Sequence, residues 1–166
     1  MTDVTYRDWL HSYGQPSRRP AYDEEEARGR WSAGEGLSIL SGDPGHPEIV
    51  TQVDLGGRRI KVQWLDDLRP ELSYLFIQPE GWPDGELFLE QTQVRQYDQQ
   101  RLPEGASSYD ESWYFSTDGS YYAVRGKRVG SDAERAEGHL EPEQLLTLRE
   151  TRPAFGDWDS IIRRER

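Results

Sequence analysis

Apolar and polar positions alternate most clearly in the middle of the chain. Ile60, Val62 and Trp64 are interleaved with Arg59, Lys61 and Gln63, the period-two pattern of a strand with one wet face. Residues 36–41 and 48–54 read as shorter β-type runs, separated by the Gly42-Asp43-Pro44-Gly45 turn. Residues 85–90 and 91–97 are two further strand candidates, and 102–108 reads as a loop. Residues 66–77 fit two states, because Arg69-Pro70 could equally open a short helix carrying Leu72, Leu75 and Phe76. The sharpest local signal is the hairpin over 112–125. Its Asp118-Gly119 pair suits a two-residue type I′ turn. That turn would oppose Phe115 to Tyr122 and Trp113 to Val124, so that those four share one face. Tyr114, Ser116, Tyr121 and Ala123 would share the other. Ile60, Val62, Trp64, Trp113, Phe115, Tyr122 and Val124 are therefore expected inside or half-inside.

The ends follow a helical period instead. In residues 1–13, Thr2 or Asp3 can cap a short helix with Tyr6, Trp9, Leu10 and Tyr13 on one face. Gly14 ends it, and residues 15–20 form a linker. A second helix is expected from Asp23 to about Trp31, with its acids at the positive end of the helix dipole and Gly34 and Gly36 stopping it. Pro142 can begin a helix carrying Leu145, Leu146 and Arg149. Phe155, Trp158, Ile161 and Ile162 form an apolar stripe on another. Strands in one run, flanked by helices without βαβ alternation, predict an α+β fold with an antiparallel sheet of about five to seven strands. The expected organisation is a single domain over 1–166. A helical N-terminal arm (1–35) packs on a β-rich centre (36–129), followed by C-terminal helices (140–165).

Composition sharpens this picture. The 166 residues are only 34% hydrophobic but include six Trp, nine Tyr and four Phe, so the core must be small and aromatic-heavy. The absence of Cys excludes a disulfide framework, a thiolate zinc site and a Cys nucleophile. The longest aliphatic-aromatic run, Tyr74 to Ile77, is far too short for a membrane span. No secretory pattern is visible in Met1-Thr-Asp-Val-Thr, so a soluble cytoplasmic protein is expected. The net charge is −11, and residues 66–111 hold most of it, with eleven acids against Arg69, Arg95 and Arg101. Such a field repels phosphate backbones, disfavouring nucleic acid, and draws in a basic protein.

The inventory for catalysis is poor. His11, His46 and His139 are scattered, and no metal-site spacing, hydrolase elbow or phosphate-binding loop is present. Asp66-Asp67 and Asp110-Glu111 supply paired carboxylates, but adjacent residues seldom converge on one centre. Asp43-Pro-Gly-His46 is ordinary turn chemistry. No catalysis, cofactor or metal is expected. Binding of a partner is: Trp82 lies in the turn-rich segment 79–85, either as an exposed anchor or folded back as a lid on the core. With the acids around it and the hairpin tip, the candidate partner-binding set is Trp82, Asp84, Glu86, Asp110, Glu111, Asp118 and Gly119.

The hairpin over 113–124, the segment Asp67-Leu-Arg-Pro-Glu-Leu-Ser-Tyr-Leu-Phe76 and the small acidic chain resemble immunity proteins of bacterial polymorphic toxin systems. The nearest type neutralises NAD-glycohydrolase toxins of the tuberculosis necrotizing toxin class. The resemblance covers about a third of the chain. It implies a single-domain, cytoplasmic, non-catalytic inhibitor that forms a heterodimer with a basic toxin domain and occludes its active site. Two other classes fit the composition: a small-molecule-binding or enzymatic β-domain with an aromatic-lined cavity, and a regulatory or scaffold domain.

Overall fold

The computed structural model describes residues 3–10, 15–17, 19–97, 107–127 and 133–165. Ten strands join in one antiparallel sheet, larger than the five to seven strands expected, and helices are sparse. From one edge to the other the order is β1 (Val4–Arg7), β4 (Leu37–Asp43), β5 (His46–Asp54), β6 (Arg59–Asp66), β7 (Arg69–Ile77), β8 (Glu86–Gln96), β9 (Tyr109–Phe115), β10 (Ser120–Lys127) and β11 (Glu134–His139). From β4 to β11 it is a meander of neighbours. A short strand, β12 (Arg149–Thr151), lies beside the first half of β8, while β9 takes the second half. A separate two-stranded pair joins β2 (Trp9–Leu10) to β3 (Gln15–Pro16).

The turns follow from local chemistry. Asp43 Oδ1 accepts from Gly45 N–H at 2.7 Å, tying the β4–β5 hairpin. Between β6 and β7 the two central residues, Asp67 and Leu68, both sit at positive φ, a conformation that costs a non-glycine residue. Leu68 is held there by packing beneath Trp9, Leu40 and Val50. The helix α1 (Glu24–Ala33) begins where the sequence places it. Asp23 caps it by accepting from Glu26 N–H at 2.8 Å, and Gly34 closes it at φ 74°.

Several expectations are overturned. Residues 4–7 and 9–10 are strands, not a helix: Val4 to Arg7 pair with Ser41 to Ser38, so an open sheet edge outweighs the helical spacing of Tyr6 and Trp9. The rest of that helix falls outside the described residues, as does most of 102–108. Residues 69–77 are a strand, with Pro70 beside a register irregularity at Trp64/Leu65 that tolerates its missing N–H. The two candidates at 85–97 are one strand, β8, bulged at Glu90: Leu75 opposes Gln91 and Phe76 opposes Leu89. At the C-terminus only α2 (Pro142–Thr147) and a 3-10 turn (Trp158–Ser160) are helical. Even so, the stripe of Phe155, Trp158, Ile161 and Ile162 packs on the core.

That core lies on one face of β4–β8. Ile39, Val53, Ile60, Val62, Phe76 and Leu89 are closed over by Ala27 of α1 and by Trp158 and Ile161. A smaller cluster of Trp9, Leu40 and Val50 covers the opposite face of the first strands. No helix among the described residues is long and apolar enough to cross a membrane.

A candidate protein-binding face on the last three strands

The hairpin joining β9 and β10 has a longer loop than Asp-Gly alone suggests. Ser116 N–H donates to Ser120 O at 2.9 Å and Gly119 N–H donates to Ser116 O at 2.9 Å, leaving three residues in the loop. Gly119 sits at φ 93°, the glycine that such a bulged turn requires. Asp118 fixes the choice: its Oδ1 accepts from Ser120 N–H at 2.8 Å and from the Ser120 hydroxyl at 2.7 Å. Those two bonds hold its carboxyl below the usual carboxylate range, the hydroxyl contributing most. The extra loop residue slips the register by one. Tyr121 opposes Phe115, Tyr122 opposes Tyr114 and Ala123 opposes Trp113. The expected grouping of Trp113, Phe115, Tyr122 and Val124 on one face is therefore wrong, since a one-residue slip turns every side chain of one strand over.

Both faces of this three-stranded wing carry rings. On the face continuous with the core lie Trp113, Phe115 and Tyr121, with ring centroids 6.4 Å (Trp113–Phe115) and 5.5 Å (Trp113–Tyr121) apart. Glu111 anchors the first of these rings: it accepts from Trp113 Nε1–H at 2.6 Å and from the Tyr109 hydroxyl at 3.1 Å, and pairs with Arg125 at 3.2 Å. On the opposite face Tyr114 and Tyr122 stack at 4.5 Å and 12°. Tyr122 is 50% exposed, against the inside or half-inside position expected of it. Every residue of β11 is exposed. A cleft of about 570 Å³ runs along β10 and β11, lined by Tyr121, Tyr122, Val124, Arg135 and Glu137 among others. Its charged residues are Arg135 and Glu137, set beside two serines and two tyrosines. Among the described residues no three His, Asp or Glu side chains gather as metal ligands.

The sequence-derived candidates separate into two groups. Asp110, Glu111, Asp118 and Gly119 lie on the wing, with Asp110 3.5 Å from Arg95. Trp82, Asp84 and Glu86 are instead gripped by the C-terminal segment. Trp82 is half-buried, edge-on to Phe88 at 5.9 Å, with the Arg149 guanidinium 4.6 Å over its ring. Asp84 accepts from both terminal nitrogens of Arg152, at 2.8 and 3.2 Å, and Arg152 also donates to Gly56 O at 3.1 Å. Glu86 lies 4.0 Å from Arg149. Sequence reasoning missed Tyr114, Tyr122, Arg135 and Glu137. The signal for the tyrosines was present in the hairpin and needed only the correct loop length. Comparison with protein-family models, with curated proteins and with solved structures found no match.

Proposed function

We propose that the chain is a non-catalytic immunity protein that binds a cognate bacterial toxin domain as a heterodimer and occludes its active site through the β9–β11 wing. The observation that carries this reading is the Tyr114–Tyr122 stack, held open to solvent on a strand scaffold. Tyrosines ordered before binding supply contact area at low entropic cost and are frequent interface hot spots. Asp118, exposed at the tip of the same hairpin, adds negative charge suited to a basic partner. Asp84, Glu86, Asp110 and Glu111, being ion-paired at home, contribute little to steering. A cytoplasmic location and the absence of nucleic-acid binding belong to the same proposal.

The test is co-expression with the product of the neighbouring reading frame, followed by binding kinetics and suppression of toxicity. Tyr122→Ala should accelerate dissociation by at least about tenfold, the scale of a modest hot spot. Trp82→Ala and Asp84→Asn should leave the rates within about twofold. No complex with the neighbouring product, or a complex indifferent to Tyr122→Ala, defeats the proposal. The cleft along β10 and β11 supports a second reading, a small-molecule site, since its volume lies in the usual range of about 300–1,000 Å³. Ligand-dependent thermal stabilisation lost in Tyr122→Ala, with no protein partner captured, would favour it.

A further inference from the structure

The two edges of the main sheet differ. At the β1 edge, Tyr22 N–H donates to Tyr6 O at 2.8 Å, so the rim is partly covered. At the β11 edge no described strand pairs with the outer rim. Leu140 N–H donates to Gly119 O in the register that sets Tyr121 against Gly138 and Ala123 against Ala136. The even-numbered residues of β11 therefore bond inward, and Arg135, Glu137 and His139 direct their N–H and C=O groups outward.

We propose that this rim pairs with the same rim of a second copy, antiparallel about a two-fold axis at Ala136. The argument is the sign pattern of Glu134-Arg-Ala-Glu-Gly-His139. An antiparallel pairing must bring outward-bonding residues opposite one another, which leaves registers two residues apart. The register centred on Ala136 sets Arg135 opposite the partner's Glu137 and, by symmetry, repeats that pair once more. It also sets Glu134 opposite the partner's Gly138. The two small Ala136 side chains meet at the closest, non-hydrogen-bonded position. Centring on Arg135 would oppose two arginines, and centring on Glu137 would oppose two glutamates. Moving the centre to Gly138 would leave only the last residues of the strand paired. Charges on an edge ordinarily keep it from pairing at all; arranged like this they admit one register and reject its neighbours. The pairing leaves Tyr114 and Tyr122 exposed and lays the wings of two copies side by side. It needs no other protein, so it stands or falls separately from the toxin reading.

The experiment is sedimentation equilibrium of the full chain and its variants over a concentration series. The parent protein should reach twice the monomer mass. Arg135→Glu and Glu137→Arg should each weaken association by at least about tenfold, because two like-charged pairs replace two opposite ones. The double exchange, Arg135→Glu with Glu137→Arg, should restore the dimer. Ala136→Cys gives a direct reading of register, since the chain has no other cysteine. Cα atoms about 4.5 Å apart in a non-hydrogen-bonded pair can be bridged, and a disulfide-linked dimer should form on mild oxidation. Glu137→Cys should link poorly. Circular dichroism verifies that each variant folds, which the full exposure of β11 favours. A parent chain that stays monomeric at its highest soluble concentration overturns the proposal. So does a dimer indifferent to both reversals, or one that links equally well through both cysteine variants.

Discussion

Strands β4–β7 and strands β9–β11 belong to one hydrogen-bonded sheet, yet the two regions are built differently. In the first, apolar side chains are sealed beneath α1 and the C-terminal segment on one face, and the strands nearest β1 are covered on the other as well. Even the polar Gln63 of β6 is only 4% exposed. In the second, the rings of Trp113, Tyr114, Phe115 and Tyr121 are partly wet, and β11 has no cover on either face. Backbone pairing is continuous across the boundary, so the difference lies wholly in what lies above and below the sheet. Continuity of the ladder gives the wing its shape; it does not give it the body's stability. Local opening should accordingly begin at β11 and β10 and reach β5–β7 last, a gradient that native-state hydrogen exchange reads directly.

The largest expected effect is in the body. Phe76 is fully buried at the centre of the core, so Phe76→Ala should cost about 3–5 kcal/mol in urea denaturation. Tyr122→Ala removes one exposed ring from a stack and should cost about 1 kcal/mol or less. Equal losses in the two variants would break the distinction between the regions. Next comes the clamp that closes the body. Arg152 bonds to Gly56 O and to the exposed carboxylate of Asp84, so Arg152→Ala should cost about 1–2 kcal/mol after allowance for solvent. Its amide shifts in NMR spectra should be confined to β8, β12 and the turn at 55–57. Shifts spreading into β10 and β11 would mean that the clamp also organises the wing.

What could be read in advance follows the same division. The alternation of Ile60, Val62 and Trp64 is visible because the body's strands are buried by rule, and α1 is visible because Asp23 and Gly34 act within a few residues of it. The wing resisted reading for a specific reason. Asp-Gly fits both a two-residue turn and a three-residue bulged turn, and only the Asp118–Ser120 bonds choose between them. The slip moved Tyr122 from an expected core position to the most exposed ring of the hairpin. β11 was unreadable outright, because Glu134-Arg-Ala-Glu-Gly-His139 has no apolar alternation to mark it as a strand. Of the candidate residues, Asp110, Glu111, Asp118 and Gly119 could be found from charge and turn chemistry. The partners of Trp82 and Asp84 could not, since Arg149 and Arg152 are distant in sequence.

A smaller effect tests the hairpin that sets the wing's register. Gly119→Ala keeps the loop length but forces φ 93° on a residue with a Cβ, which should cost about 1–2 kcal/mol. The new methyl would lie 2.9 Å from His139 Nε2, but that ring is exposed and can swing aside, so the backbone sets the cost. The loss should appear as faster exchange in β9–β11, with β5–β7 unchanged. If β5–β7 exchange as fast, the wing and body unfold as one unit.

The smallest effect is a pH dependence confined to the hairpin tip. The Ser120 hydroxyl and N–H stabilise the Asp118 carboxylate and hold its pKa below the ordinary 3.8. A carboxyl depressed on folding adds stability above its unfolded value and loses it as pH falls through the folded one. The contribution of Asp118 should therefore be fully present across the neutral range and be lost only in acid, below the point where free carboxylates titrate. NMR titration of the Ser120 amide reads this locally, without interference from the acids of β8 and β9. Asp118→Asn retains one acceptor oxygen and removes the titration, so the Ser120 amide should become insensitive to acid while the register persists. A midpoint at the ordinary value would mean that the bonds to Ser120 are not formed in solution. The three-residue loop, and with it the outward position of Tyr122, would lose its cause.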